Sequence, residues 1–222
     1  MEKKYKLTEE TINVNGKTLY RIKSLKDFGN VKKGDKGGFI ENESNLSQSG
    51  DSWVYCDAKV YDNAKIYDNA KVYDDAKICD YAEVCGYARV RGNAEVCDNA
   101  RVCGDAKVFG NANVYGNAMV YDNANVYGHA RIYGNAEILA KAVVCGDAVI
   151  TNKSDYILFK NWWSSGRCFT WTRSNNMWKV GCFYGTSNEL IEKAYKDSKL
   201  SGREYERVVK YVEAILNNNA DV

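Results

Sequence analysis

The 222-residue sequence contains no proline, only one histidine and no long apolar run. Average usage of about 5% would give roughly eleven prolines in a chain of this length. Because proline interrupts the hydrogen bonds between strands, its absence favours a long, unbroken β architecture. The lone imidazole of His129 excludes any site that needs two or three histidine ligands. The charged N-terminal residues have no apolar segment behind them, so neither a signal peptide nor a membrane span is predicted.

The sequence also lacks an excess of charge of one sign. Lysine and arginine number 31 against 29 aspartate and glutamate residues, and a net charge of +2 does not indicate bulk nucleic-acid binding. The eight cysteines include no Cys-x-x-Cys pair. In a chain without a predicted secretion signal, they are expected to be reduced thiols in a cytoplasm.

A six-residue repeat fills the middle of the chain. From Val54 to Ile150 every sixth residue is valine or isoleucine, and an alanine stands four positions after each of the first sixteen. A Gly or Asp followed by Asn or Asp lies between them, as in VYDNA at residues 60–64. Alternation places the β-branched residue and the alanine inside, while the polar pair turns a corner through left-handed backbone. Three such sides close a coil of eighteen residues, and coils pair about 4.8 Å apart.

This repeat resembles the left-handed parallel β-helix of the hexapeptide-repeat superfamily, whose best-known members are acyltransferases. The resemblance covers about residues 31–150, and the Val-Tyr-Gly-Asn-Ala phrasing looks closest to uncharacterised bacterial and phage proteins that are often labelled transferases. It implies a left-handed coil and a homotrimer. For the enzymes of the superfamily it also implies coenzyme A along the prism and a histidine at a subunit boundary as the base.

Both ends depart from the repeat and predict separate modules around a mainly β fold. Residues 1–30 are expected to form a β-hairpin cap around the turn Asn15-Gly16, and residues 31–150 form the β-helix. Residues 151–222 predict a small α+β module, with a three-stranded meander followed by two helices. Patterns of the capping-box type beginning at Thr186 and Ser201 mark the two helix starts.

One outer face of the predicted prism, here called the basic–aromatic face, collects cations and rings when the repeat is folded onto a period of eighteen residues. Its predicted ligand-binding residues are Lys71, Tyr73, Arg89, Arg91, Lys107, Phe109 and Tyr127. The cations suit phosphates and the rings suit stacking, so this face predicts a nucleotide-like ligand or single-stranded nucleic acid. No carboxylate is expected on it. The alternative is that the rings only stabilise neighbouring coils and the cations are solvated.

A second candidate patch lies in the C-terminal module, where Arg167, Trp171 and Arg173 combine cations with a ring. It predicts contact with a partner or a nucleotide. The alternative is that the tryptophans form the core of a very small sheet.

Two cysteine pairs have the spacing of one coil. Cys79 and Cys97 are eighteen residues apart, and so are Cys85 and Cys103, so each pair stacks on adjacent coils. That spacing permits disulfides, but the expected reducing compartment argues against them. The two pairs point outward from different faces, so a four-thiolate zinc site is not expected and no metal is predicted.

His129 is the one candidate catalytic base. It stands in a corner column with Asp75, Asn93, Asn111 and Asp147, where a histidine that tolerates left-handed backbone is a structural variant. The leading hypothesis is therefore a non-catalytic binding or scaffold protein without a cofactor. It would be associated with a phage or prophage and recognise a host macromolecule or nucleotide-like ligand, a description that includes a counter-defence role. The alternative is a coenzyme A-dependent acyltransferase that uses His129 as base.

Overall fold

The strands of the repeat form three parallel ladders, which confirms the predicted β-solenoid. The computed structural model describes residues 2–218, and the chain divides into two compact units, Met1–Asp155 and Tyr156–Val222. In chain order, the strands of the first unit are β1 (Tyr5–Val14), β2 (Lys17–Ser24), β3 (Lys36–Ile40), β4 (Trp53–Val54), β5 (Lys59–Val60), β6 (Lys65–Ile66), β7 (Lys71–Val72), β8 (Lys77–Ile78), β9 (Glu83–Val84), β10 (Arg89–Val90), β11 (Glu95–Val96), β12 (Arg101–Val102), β13 (Lys107–Val108), β14 (Asn113–Val114), β15 (Met119–Val120), β16 (Asn125–Val126), β17 (Arg131–Ile132), β18 (Glu137–Ile138), β19 (Val143–Val144) and β20 (Val149–Ile150).

Each repeat strand pairs in parallel with the strand three positions further along the chain. The sheets run in the orders β1-β2-β3-β5-β8-β11-β14-β17-β20, β19-β16-β13-β10-β7-β4 and β18-β15-β12-β9-β6. The register places residues eighteen apart opposite one another, as in the pairs that Arg89 makes with Lys71 and Lys107. Outward side chains therefore form continuous columns that run along the solenoid.

The core of the solenoid consists of the two inward columns that the repeat predicts. Every valine or isoleucine of the repeat from Val54 to Ile150, and every repeat alanine from Ala58 to Ala148, is at most 1% exposed. Burying both columns removes apolar surface from water in every coil, at about 25 cal/mol per Å². Because alanine occupies the narrow end of each side, the interior has no room for a larger side chain there.

The left-handed backbone of the corners explains why glycine or aspartate occupies the first corner position. These residues have φ near +60°, for example Asp74 at 59° and Gly92 at 71°. The Asp74 carboxylate accepts a hydrogen bond of 2.9 Å from the Gly92 amide one coil further along. Aspartate thus satisfies a backbone donor that the strand ladder leaves unpaired.

A β-hairpin covers the first coil, as predicted, with Asn15 and Gly16 at φ of 52° and 81° in its turn. The ring of Tyr5 is fully buried and its hydroxyl donates to the carbonyl oxygen of Leu46 at 2.7 Å. Leu46 itself lies in a bridge with Ile66, after a short 3₁₀ helix at Glu43–Asn45. These contacts attach the hairpin to the irregular segment between β3 and β4.

Lys4, at the start of the hairpin, is only 1% exposed. Its ammonium donates to the carbonyl oxygens of Ser52 at 2.9 Å, Gly50 at 3.3 Å and Ser49 at 3.4 Å. It also lies 5.1 Å from the ring centre of Phe28. Burial disfavours the charged form and lowers the pKa of Lys4 to about 8, although Asp51 opposes that shift.

The second unit is an antiparallel sheet with two helices. Its elements are β21 (Tyr156–Lys160), β22 (Cys168–Thr172), β23 (Met177–Val180), β24 (Phe183–Gly185), α1 (Ser187–Asp197) and α2 (Lys199–Asn218), preceded by a 3₁₀ helix at Lys153–Asp155. The prediction of three strands is wrong, because the chain turns at Gly181 and divides the last predicted strand into β23 and β24. No helix within residues 2–218 is long and apolar enough to cross a membrane.

The helix starts agree with the sequence in one case only. Thr186 caps α1 in a capping box with Glu189, as predicted. The predicted start of α2 at Ser201 is wrong, because Ser198 accepts the hydrogen bond from the Ser201 amide at 3.0 Å and the helix begins earlier.

A larger residue in the alanine column tests the packing of the solenoid. Ala100→Leu places a leucine in a fully buried position, so we expect overpacking to lower the free energy of unfolding by about 1–3 kcal/mol. The matched control, Asn99→Leu, adds the same side chain at the adjacent exposed corner and should change stability by less than about 0.5 kcal/mol. Urea unfolding measures both. Equal midpoints for the two variants would contradict the inward placement of the alanines.

The buried ammonium of Lys4 predicts a pH dependence of stability. In the unfolded chain Lys4 keeps its proton up to its ordinary pKa of 10.5, but in the folded protein it loses it from about pH 8. The unfolded state then binds more protons, so stability should rise with pH in that window and be independent of this group below it. Melting curves of the wild type and Lys4→Met between pH 7 and 10 measure the difference. Parallel pH dependences would contradict the prediction.

Candidate functional site

A column of like charges stands on the basic–aromatic face. Lys71 on β7, Arg89 on β10 and Lys107 on β13 lie directly opposite one another in the parallel ladder. Like charges in directly opposed positions destabilise a sheet. None of the three is within 4.0 Å of a carboxylate anywhere in the described part of the chain.

On the other two faces, cations at the equivalent ladder positions contact glutamates. Lys77 contacts Glu95 at 2.8 Å on one face, and Arg101 contacts Glu83 at 3.2 Å on the other. On those two faces, ladder neighbours on the same coils carry opposite charges. A like-charged pair also occurs on the face that carries Lys77, where Lys59 lies opposite Lys77, but these two lysines contact Asp75 at 3.7 Å and Glu95 at 2.8 Å. The column of Lys71, Arg89 and Lys107, here called the basic column, differs because it has three successive cations and no carboxylate partner.

The aromatic ladder beside the basic column is interrupted at one rung. Tyr55 stacks on Tyr73 at 4.5 Å between ring centres, and Phe109 stacks on Tyr127 at 4.7 Å. Between these two pairs the rung is Arg91, whose guanidinium lies 4.9 Å from the ring centre of Phe109. That distance is within the range of a cation–π contact.

A surface pocket of about 280 Å³ opens where the ladder is interrupted. Its lining residues are Tyr73, Asp74, Arg89, Arg91 and Lys107, which we call the basic pocket. Four of them are predicted ligand-binding residues, and Lys71, Phe109 and Tyr127 flank the pocket on the same face. No outward residue of this face is a carboxylate, but the corner residue Asp74 also lines the pocket.

The charge balance of the basic pocket is nevertheless positive. The carboxylate of Asp74 already accepts the Gly92 amide, whereas the guanidinium of Arg89 makes no hydrogen bond within the described residues. Burial raises the pKa of the Tyr73 phenol, and the charge of Arg89 opposes that rise. Tyr73 therefore stays protonated at neutral pH and offers a hydroxyl donor beside three cations. This arrangement suits a small polyanion.

His129 lies at an exposed corner of the solenoid. Its backbone amide donates to the carbonyl oxygen of Gly146 at 2.9 Å, and its imidazole has no hydrogen-bond partner among the described residues. The expectation that it occupies a left-handed position is wrong, because the positive φ belongs to the preceding Gly128, at 75°. His129 is absent from the lining of the basic pocket. Its role as a base stays a prediction.

The C-terminal patch is only partly available to a ligand. Trp171 is 1% exposed and packs at 6.4 Å from Trp178, so its predicted place on a binding surface is wrong. Alternation along β22 directs it into the core of the second unit. Arg167 and Arg173 are exposed at either end of that strand.

The cysteine columns stack as the period predicts, but the expectation of reduced thiols is wrong for one pair. Cys85 and Cys103 form a disulfide, with their Cα atoms 4.7 Å apart. The expectation rested on the compartment, whereas the geometry of adjacent coils permits the bond. Cys79 and Cys97 are thiols in contact with each other on the neighbouring face.

One stretch of the solenoid is similar to a known family. Residues 112–128, about one coil, match a family described as YdcK beta solenoid repeat. The match agrees with the solenoid fold and covers a small part of the chain. No curated protein matches the sequence.

Reversing the middle charge of the basic column tests whether repulsion within the column lowers the free energy of unfolding. Arg89→Glu gives Lys71 and Lys107 an opposite charge between them, so we expect the free energy of unfolding to rise by about 0.2–1 kcal/mol. Arg89→Gln, which removes repulsion without adding attraction, should give a smaller rise. Urea unfolding at low salt measures both. A loss of stability in Arg89→Glu would contradict the like-charge interpretation.

Proposed function

We propose that this protein is a non-catalytic binding protein whose basic pocket takes a phosphate-bearing, nucleotide-like ligand. The observation that carries the proposal is the unpaired basic column at the mouth of that pocket. Lys59, Lys77 and Arg101 on the other two faces each have a carboxylate partner, and three successive cations without one are best explained by an anion supplied from outside.

The side chains of the basic pocket contact different parts of the proposed ligand. Arg89 and Lys107 lie on adjacent rungs, so they address neighbouring anionic groups along the solenoid axis. A chain of phosphates presents such groups, and hydrogen bonds from guanidinium or ammonium to phosphate are among the strong ones. We assign these two cations to the phosphates of the ligand.

The interrupted ladder provides the place for a flat ring. Tyr73 ends one stack of rings, and the guanidinium of Arg91 lies on the next stack, against Phe109. Planar guanidinium and phenol groups both stack on bases, without strong preference for one base over another. We therefore propose that a nucleobase or comparable ring lies beside Tyr73 and Arg91.

The solenoid supports this function by holding the side chains in place. The backbone of each coil is hydrogen bonded to the coils beside it, so the rungs that carry the pocket lose little freedom when a ligand binds. A host macromolecule with an exposed phosphate is an alternative ligand of the same pocket. Homotrimer formation, a phage or prophage origin, a cytoplasmic location and the acyltransferase alternative stay predictions.

The binding test compares charge reversals on different surfaces. ATP and inorganic pyrophosphate are titrated into the protein by isothermal calorimetry at two salt concentrations. We expect Arg89→Glu with Arg91→Glu to lower affinity for both by tenfold or more, because each charge-assisted contact contributes about 1.5–3 kcal/mol and 1.4 kcal/mol is tenfold. The stacked ring should make ATP bind more tightly than pyrophosphate.

Two control variants carry the same change in net charge. Lys65→Glu with Arg131→Glu reverses exposed cations on the other two faces, and Arg167→Glu with Arg173→Glu reverses the C-terminal patch. Both should bind like the wild type. Equal losses of affinity in all three variants would show that net charge alone explains the effect. A loss of affinity confined to the C-terminal variant would show that the ligand binds to the second unit. Either result would overturn the proposal, as would the absence of binding by the wild type.

A further inference from the structure

The second cysteine pair occupies the same place in the repeat as the disulfide. Cys79 and Cys97 each follow an inward residue of the ladder, in which Ile78 lies opposite Val96. Cys85 and Cys103 do the same one side further along the same two coils. The two pairs therefore have the same backbone relationship, although only one of them is bonded.

The geometry of adjacent coils brings the two thiols together. The Sγ of Cys79 donates to the Sγ of Cys97 across 2.6 Å. The equivalent pair has a Cα separation of 4.7 Å, which lies within the range of about 4.4–6.8 Å that disulfides require. No movement of the backbone is needed to join the sulfurs.

The surroundings give the two thiols different roles. Cys79 is 7% exposed, packed in a cluster with Leu19, Phe39 and Tyr61, and the hydrogen bond to Cys97 together with burial raises the pKa of its thiol. Cys97 is only partly covered. Because the thiolate is the nucleophile in disulfide exchange, Cys97 is the thiol that meets an external reagent, and Cys79 is the one that completes the reaction.

Asp80 is the third potential metal ligand near the two sulfurs, and together the three could hold a metal ion. However, the carboxylate of Asp80 accepts the amide of Asp98 at 3.2 Å in the corner ladder. This bond belongs to a series that the other corner aspartates also make, for instance Asp74 with Gly92. The carboxylate therefore has a structural role, and two sulfurs in contact favour a bond between them.

We propose that Cys79 and Cys97 are a redox-active pair that forms a second disulfide between the same two coils when it meets a small-molecule disulfide such as oxidised glutathione. The Cys97 thiolate attacks one sulfur of glutathione disulfide and releases one glutathione thiolate. Cys79 then loses its proton and attacks the Cys97 sulfur, which forms the protein disulfide and releases the second glutathione. Two protein thiols are oxidised, and one glutathione disulfide is reduced to two glutathiones.

The test follows both thiols in the full-length protein across buffers of increasing oxidised-to-reduced glutathione ratio. Free thiols are alkylated with a maleimide in denaturant, intact mass counts them, and peptide mapping identifies the linked pairs. At the oxidising end we expect peptide mapping to find Cys79 linked to Cys97 and Cys85 linked to Cys103, while exposed thiols such as Cys56 and Cys182 carry glutathione at most. The melting temperature should rise as the second link forms, because it restricts the unfolded chain.

Variants separate the two links. Cys97→Ser should retain one disulfide only, and its melting temperature should rise less on oxidation than that of the wild type. The double variant Cys85→Ser with Cys103→Ser should still form the Cys79–Cys97 bond. The proposal is overturned if mapping of the wild type finds Cys79 and Cys97 unlinked at every ratio, or a lasting mixed disulfide with glutathione at Cys97. Copurified zinc that protects both thiols would overturn it as well.

Discussion

In-register hydrogen bonding between successive coils is the constraint on which this molecule depends. Because each coil is eighteen residues long and sits about 4.8 Å from the next, a residue's neighbour across the ladder is settled by counting. The same constraint brings Lys71 beside Arg89, Cys85 beside Cys103, and the Asp74 carboxylate to the Gly92 amide. Repulsion, covalent bonding and hydrogen bonding to the backbone are therefore three outcomes of one geometry.

The solenoid separates the residues that hold the fold together from those available for recognition. Inward valines, isoleucines and alanines supply the buried apolar surface, and they hardly vary along the chain. The outward columns are therefore free to carry charges, rings or thiols with little effect on the core. The basic column shows the limit of that freedom, because its three successive cations have no carboxylate partner, whereas the opposed lysines Lys59 and Lys77 on another face each have one. A surface feature with an energetic cost and no structural benefit is a reasonable place to look for function.

Most of the fold was predictable, because a strict period of six leaves few ways to bury the apolar residues. The details that were missed depend on finer distinctions. Both corner positions accept similar polar residues, so composition did not show that Gly128, rather than His129, has left-handed backbone. Alternation alone does not tell which side of a short strand is buried, and Trp171 therefore fell on the wrong surface. The Cys85–Cys103 bond does not follow from the sequence, because the spacing of one coil permits a disulfide but does not determine the redox state of the two thiols.

The two lengths in this structure, six residues for a side and eighteen for a coil, constrain how such a protein can evolve. Gain or loss of one hexapeptide preserves every inward residue, so the shortened or lengthened chain still folds. However, it moves every later outward residue to the next side of the prism and breaks up any surface that spans the altered point. The basic pocket draws on three successive coils, through Tyr73, Arg89 and Lys107. Recombination within that stretch therefore conserves recognition only when it adds or removes whole coils, whereas the fold alone accepts changes in thirds of a coil.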